Sequence, residues 1–372
     1  MTRKHRLKQL SESGYICGGI TFFLLFILLL LLRNPAIAVE QVKSGLTLCS
    51  QVIIPSLFPF LVLSELFLLC GIDRYAARIL RWPMEKLFKL PGSAGSALLL
   101  GGLCGYPVGA RIGAALYDDG KIDGDTFSFL LMFCNTASPA FLIGTVGTVL
   151  WGDRRVGIAL CLIQFLSSVL IGIWLARSRP MPAPSVLRQR KAEIGLSAFP
   201  QAFVRGANGM LSVCAYVIFF SAVIGTLDAL PWRGEVATAV KTFLFGFFEI
   251  SSGMNAAASL PDPHLGFVLS ALFMGWSGLS VHGQIATVTA NRGVFYHRYF
   301  GAKLLQAGLC SGMAAIFCLC FPDFIPAPST AAYLPTAMLP PNAAAISVSG
   351  LFAAWAVGCW QKIEEKKIGK IT

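Results

Sequence analysis

Two stretches, Gly101-Gly102-Leu103-Cys104-Gly105-Tyr106-Pro107-Val108-Gly109-Ala110-Arg111 and Gly246-Phe247-Phe248-Glu249-Ile250-Ser251-Ser252-Gly253, break apolar runs that otherwise have the length of membrane helices. In the first, Pro107 follows Gly105-Tyr106, removes a backbone donor and bars a straight helix. Gly102 and Gly109 share the spacing of Gly246 and Gly253. Each stretch follows a long apolar segment (46–71, 206–228) and precedes one interrupted by small and polar residues. Those interruptions are Phe133-Cys134-Asn135-Thr136-Ala137-Ser138-Pro139 and Phe273-Met274-Gly275-Trp276-Ser277-Gly278-Leu279-Ser280. Close helix packing is the other use of such glycines, and it is the preferred reading for Gly308 and Gly312.

The surrounding composition makes lipid the solvent. Of 372 residues, 55% are hydrophobic and 13% charged, about half the charge of a water-soluble domain. Apolar runs of roughly 20 residues recur along the chain, enough to cross a hydrocarbon core about 30 Å thick. The first, 15–32, follows Arg3, Lys4, Arg6 and Lys8 and is read as an uncleaved span, being longer than a signal-peptide core. The eleven cysteines lie in or beside apolar runs without metal-type spacing. A net charge of +12 would suit nucleic acid, but the basic residues sit in short loops, which makes them a topology signal and argues against a nucleic-acid partner.

Ten apolar segments can be drawn, yet ten crossings would set the basic loop 177–205 opposite the basic N-terminus. If 93–116 and 240–260 instead turn back inside the membrane, 22 Lys and Arg fall on one side and six on the other, with Arg111 and Lys121 assigned to the first hairpin. The expected fold is therefore all-α and integral to the membrane, with about eight transmembrane helices plus two re-entrant helical hairpins. Its units are 1–45, a first repeat over 46–177, a basic linker 178–205, a second repeat over 206–321, and 322–372 with an external loop, a last span and a basic tail. Three true crossings per unit reverse the second unit, giving an inverted repeat of the kind secondary transporters use.

Candidate solute contacts lie at the breaks: Gly105, Tyr106 and Pro107 in the first hairpin, Asn135, Thr136 and Ser138 in the first broken helix, and Ser277, Ser280, His282 and Gln284 in the second. Ionisable groups inside apolar stretches are Glu65, Arg111, Glu249 and His282, each needing a cavity or a partner. Arg111 either meets an anionic solute through its bidentate fork or snorkels to a headgroup. Glu249, followed by Ser251, Ser252 and Asn255, either handles solute or a coupling proton or sodium ion, or pairs with a buried arginine. Glu65 reads as a pairing residue, and His282 as an interhelical hydrogen bonder or a proton carrier.

The 101–111 stretch, with Asp119-Gly120-Lys121-Ile122 and Phe133–Pro139, resembles the YlbJ family of sporulation integral membrane proteins, also called stage V sporulation protein V. Glu249-Ile250-Ser251-Ser252-Gly253 and Ser277-Gly278-Leu279-Ser280-Val281-His282 extend the resemblance to most of 40–320. It implies paired gate, or nucleoside-recognition, domains and a nucleoside-transporter-like fold. It further implies transport of the small anion dipicolinate across the mother-cell-derived outer forespore membrane, with a homo-oligomer compatible with the type. A proton- or sodium-coupled carrier of a nucleoside is the first alternative. A non-transporting sporulation scaffold is another; it predicts that Glu249→Gln and Asn135→Ala leave the phenotype intact. No H-E-x-x-H, G-x-S-x-G or P-loop motif points to an enzyme or an ATP-driven pump.

Overall fold

Helices, and among the described residues no strands, form between the glycine and proline breaks. The computed structural model describes residues 21–22, 24–179, 198–294 and 296–326. Helix α1 (Leu24–Arg33) meets α2 (Pro35–Leu48) at a bend of 102°, where Pro35 opens the second helix without an N–H to continue the first. A wider π-type turn, Cys49–Ile53, joins α2 to α3 (Ile54–Leu69), where Pro55 withholds its backbone donor. Two short helices follow, α4 (Asp73–Ile79) and α5 (Arg81–Lys86). Then come the hairpin α6 (Gly95–Cys104) and α7 (Val108–Asp118), the half-helix α8 (Gly124–Cys134), a π-helix (Ala140–Leu150) and the long α9 (Arg154–Ala176). The second half runs α10 (Ala198–Asp228), hairpin α11 (Glu235–Phe248) and α12 (Ile250–Ala258), half-helices α13 (Pro263–Trp276) and α14 (Gly278–Thr289), and α15 (Tyr296–Cys320).

The order of hairpin, broken helix and long helix thus occurs twice, as the sequence breaks imply. The halves also exchange contacts reciprocally. α8 packs on α15 and α13 on α9, while α7 touches α14 and α12 touches the π-helix. Within each hairpin the limbs meet at paired glycines, Gly101 with Gly109 in the first. A Cβ on Gly101 would lie 2.9 Å from the Gly109 Cα, whereas Gly102 faces open space. The second pair is Gly246 and Gly253, so the equal spacing noted in the sequence is a coincidence. Gly308 and Gly312 likewise have no neighbour within 4 Å among the described residues, so their small size serves no packing there.

Four described helices are long and apolar enough to cross a membrane (Arg154–Ala176, Ala198–Asp228, Pro263–Thr289, Arg298–Cys320), or five if the bent α1–α2 pair is one span. The eight expected spans are thus matched only in part. The expected segments 46–71 and 127–151 are divided into shorter apolar pieces, including Leu57–Leu69, Gly124–Cys134 and Ala140–Leu150. The expected span 343–361 lies outside the described residues, as does most of the linker 178–205. Large apolar side chains such as Trp82, Leu162, Phe165, Ile316 and Leu319 are exposed, a surface suited to lipid.

Polar contacts gather the loops at two ends. At one end Lys121 pairs with Asp73 at 2.8 Å, Arg292 with Asp118 at 2.8 Å, and Lys89 donates to the Arg179 carbonyl at 2.7 Å. The first hairpin therefore begins and ends among the same loops. Elsewhere His264 Nε2 lies 3.0 Å from the Pro322 carbonyl oxygen, and the Arg155 guanidinium sits 5.5 Å from the Phe324 ring centre.

Asp123 starts α8 by accepting the Thr126 N–H at 2.7 Å, and the Thr126 side chain, together with that N–H, holds its carboxyl below the ordinary carboxylate value. Asp123→Ala should cost about 0.5–2 kcal/mol of stability. Because the folded-state pKa is lowered, that contribution is present above the ordinary value and is lost as pH falls through the folded one. Thermal melts of both proteins should therefore differ at neutral pH and converge in strong acid.

Candidate functional site

Both hairpin tips reach the broken helices of their own half. Gly105, at φ +83°, brings the first tip so close to Ser138 that a Cβ would lie 2.8 Å from its backbone nitrogen. Gly278, at φ +76°, sets the second break against the second tip, where a Cβ would lie 3.0 Å from the Ile250 nitrogen. A cavity of about 130 Å³ lies where these breaks meet, walled by Leu48, Ile53, Leu57, Val213 and Val217. Of the residues expected from sequence, Gly105, Tyr106, Ser138, Glu249, Ser251, Ser280 and Gln284 line it. Side chains far apart in the chain are thus brought to one polar lining inside an apolar wall.

Glu249 is buried and starts α12. Its Oε1 accepts the Ser251 N–H at 2.9 Å, and its Oε2 accepts the Ser252 N–H at 2.7 Å and the Ser252 hydroxyl at 2.9 Å. The carboxylate is held by a helix N-terminus, whose partial positive charge offsets it, so it has no need of an arginine. In contrast, the α14 N-terminus is not capped by any side chain, and Ser280 and Gln284 beside it line the cavity. Ser138 accepts the Phe141 N–H at 3.2 Å at the start of the π-helix.

Tyr106 ties the halves together. Its hydroxyl donates to the Met274 carbonyl at 3.0 Å and accepts from Ser277 Oγ at 2.9 Å and from Gln164 Nε2 at 3.2 Å. Ser277, the left-handed residue at the second break, thereby meets the first hairpin and not the cavity.

The remaining candidates lie outside the lining. Asn135 braces the first break: its Oδ1 accepts the Ala110 N–H at 2.9 Å and its Nδ2 donates to the Leu131 carbonyl at 3.1 Å. The Thr136 hydroxyl points at the Gly101 carbonyl, 3.4 Å away. Pro107 precedes α7, Ser252 serves Glu249, and the Asn255 carbonyl accepts the Ser259 hydroxyl. His282 stacks on Phe300 and is flanked by a tilted Trp276 and an edge-on Tyr299, with ring centres 4.8, 4.4 and 5.2 Å away. Arg111 turns away from the cavity: its Nη2 lies 2.5 Å from Glu65 Oε1 and donates to the Arg205 carbonyl at 2.9 Å. Glu65, read from sequence as a pairing residue, thus takes Arg111 as its partner, binding α7 to α3 and α10.

One buried charge escaped the sequence reading. Lys303, counted with the basic loop 291–303, is instead fully buried within α15, donating to the Asn135 carbonyl and to Gln306 Oε1, each at 2.8 Å. It also lies 5.7 Å from the Tyr106 ring centre. Its place inside a hydrophobic run was masked by nearby Arg292 and Arg298. Among the described residues, no group of three His, Cys, Asp or Glu side chains is placed to hold a metal.

No protein-family model and no solved structure matches the chain. The chain is similar to "Sporulation integral membrane protein YlbJ" of Bacillus subtilis (strain 168), with 26% identity over 323 residues that cover 77% of this chain and 79% of the relative. That likeness, extending over most of both chains and joined to a helical, membrane-suited fold, supports placing this protein in the YlbJ family of sporulation integral membrane proteins.

Proposed function

We propose that the chain is a secondary or facilitated transporter of a small organic anion, dipicolinate, across the outer forespore membrane during sporulation. The observation that carries this reading is the meeting of two hairpin tips and two broken helices around one cavity. Broken helices inside a membrane protein are tolerated where they line a wet cavity, and their ends supply partial charges for a solute. The Lys121–Asp73 pair, which ties the exit of the first hairpin to the segment before it, supports a re-entrant reading with the second half inverted.

Dipicolinate is a flat dianion. The uncapped start of α14 with Ser280 and Gln284 offers N–H and side-chain donors to one carboxylate, while the apolar walls suit the ring. Glu249 in the same lining favours coupling to a proton, and it also supports a second reading in which the solute is a neutral nucleoside. Sealed vesicles containing the purified protein separate these readings. Labelled dipicolinate should accumulate above protein-free vesicles while uridine does not. Accumulation of uridine alone would select the second reading, and movement of neither would end both.

A further inference from the structure

The half-helix α8 ends in carbonyls that face the protein interior. The Phe133 carbonyl accepts the Ser168 hydroxyl, and the Cys134 carbonyl lies against Gly101 and Gly109, where no Cβ fits. The Asn135 carbonyl accepts from Lys303 Nζ at 2.8 Å. A helix C-terminus carries partial negative charge, and in secondary transporters such ends, with unwound carbonyls beside them, bind a small coupling cation. Here a cation arrives attached to α15.

The Lys303 ammonium is held by neutral acceptors and not by an ion pair. Its ammonium is fully buried, and its second donor goes to the neutral Gln306 Oε1 at 2.8 Å. The face of Tyr106 lies 5.7 Å away, and among the described residues no carboxylate pairs with it. The other half supplies a control within the same molecule. Near the end of α13, the Met274 carbonyl is met by neutral donors, the Tyr106 hydroxyl at 3.0 Å and Gln164 Nε2 at 3.4 Å. Gln164 and Gln306 stand equally far from the starts of α9 and α15, so the two halves share a scaffold but only one adds a charge.

We propose that the Lys303 ammonium is a tethered replacement for a small inorganic cation at the C-terminal end of α8, so that the first break keeps its shape without sodium. This rests on the transporter reading and specifies how its site is held. It predicts that removing the ammonium while leaving its space creates a cation-binding site.

The test uses the full chain purified in detergent, as wild type, Lys303→Ala and Lys303→Met, melted in choline, sodium or methylammonium chloride at equal ionic strength. The wild-type midpoint should be the same in all three salts. Lys303→Ala should melt lower in choline and recover by roughly 2–4 °C in sodium or methylammonium, as expected for a ligand that binds only the folded form. Lys303→Met, whose stem fills the space, should melt lower without recovering. A wild-type midpoint that rises in sodium over choline would overturn the proposal, as would a folded Lys303→Ala indifferent to both cations. If Lys303→Ala does not fold, the wild-type comparison and solute uptake in sodium-free vesicles decide: sodium independence upholds the proposal and sodium dependence overturns it. Absence of uptake in every vesicle would instead sink the transporter reading, while the salt response of the melts would still report on Lys303.

Discussion

Arg111→Ala should leave the protein poorly folded, because it leaves the buried Glu65 carboxylate between α3, α7 and α10 with only the more distant and half-exposed Arg205 guanidinium, 3.8 Å away. Removing one partner of a buried pair costs about 3–5 kcal/mol, since the survivor keeps its desolvation penalty without its attraction. The pair is close, at 2.5 Å, and both side chains are largely withdrawn from solvent, so little of the loss is recovered by hydration. The double change Glu65→Leu with Arg111→Leu should restore most of the stability, because no buried charge is left alone and the half-exposed Arg205 can turn to solvent. Yield of monodisperse protein and its melting midpoint would read both effects. A different pattern would return Arg111 to the solute: Arg111→Ala folding at wild-type level but failing to take up dipicolinate, with the double variant equally inactive.

Glu249→Gln is the second large effect expected, this time on uptake. The carboxylate receives two backbone N–H groups and a hydroxyl at the start of α12 while lining the cavity. A carboxamide keeps one acceptor oxygen and turns an amide toward the other donor. Hydrogen bonds to a charged group contribute about 1.5–3 kcal/mol each, so losing one should lower uptake roughly tenfold or more. The variant should still insert, because the apolar faces of α11 and α12 are untouched. Unchanged uptake by Glu249→Gln would reduce Glu249 to a helix cap. Similar results from Asn135→Ala, whose side chain braces the first break, would separate a carrier from a scaffold.

The breaks were legible because their causes are local. Pro107 cannot donate, Gly105 and Gly278 adopt positive φ, and Pro139 opens a new helix after four non-helical residues; each is decided within a few residues of chain. Spacing alone does not show which glycines meet, because each residue turns a helix by about 100°, so Gly101 faces the partner limb and Gly102 does not. Apolar length alone sets the span count and does not register that Pro55 and Pro139 divide those lengths. Arg111 and Lys303 were placed by their neighbours in sequence, whereas their partners come from elsewhere in the chain.

By itself, the sequence determined that this protein is helical, that it belongs in lipid, and where its helices must break, because hydropathy and the conformational limits of glycine and proline act over short stretches. Only the tertiary structure decided that Arg111 belongs to Glu65, that Lys303 caps α8, and that Glu249 and Ser138 share a cavity. Those pairings depend on which helix ends are brought within a few ångströms of one another, and a charge in an apolar interior takes whichever partner the packing presents.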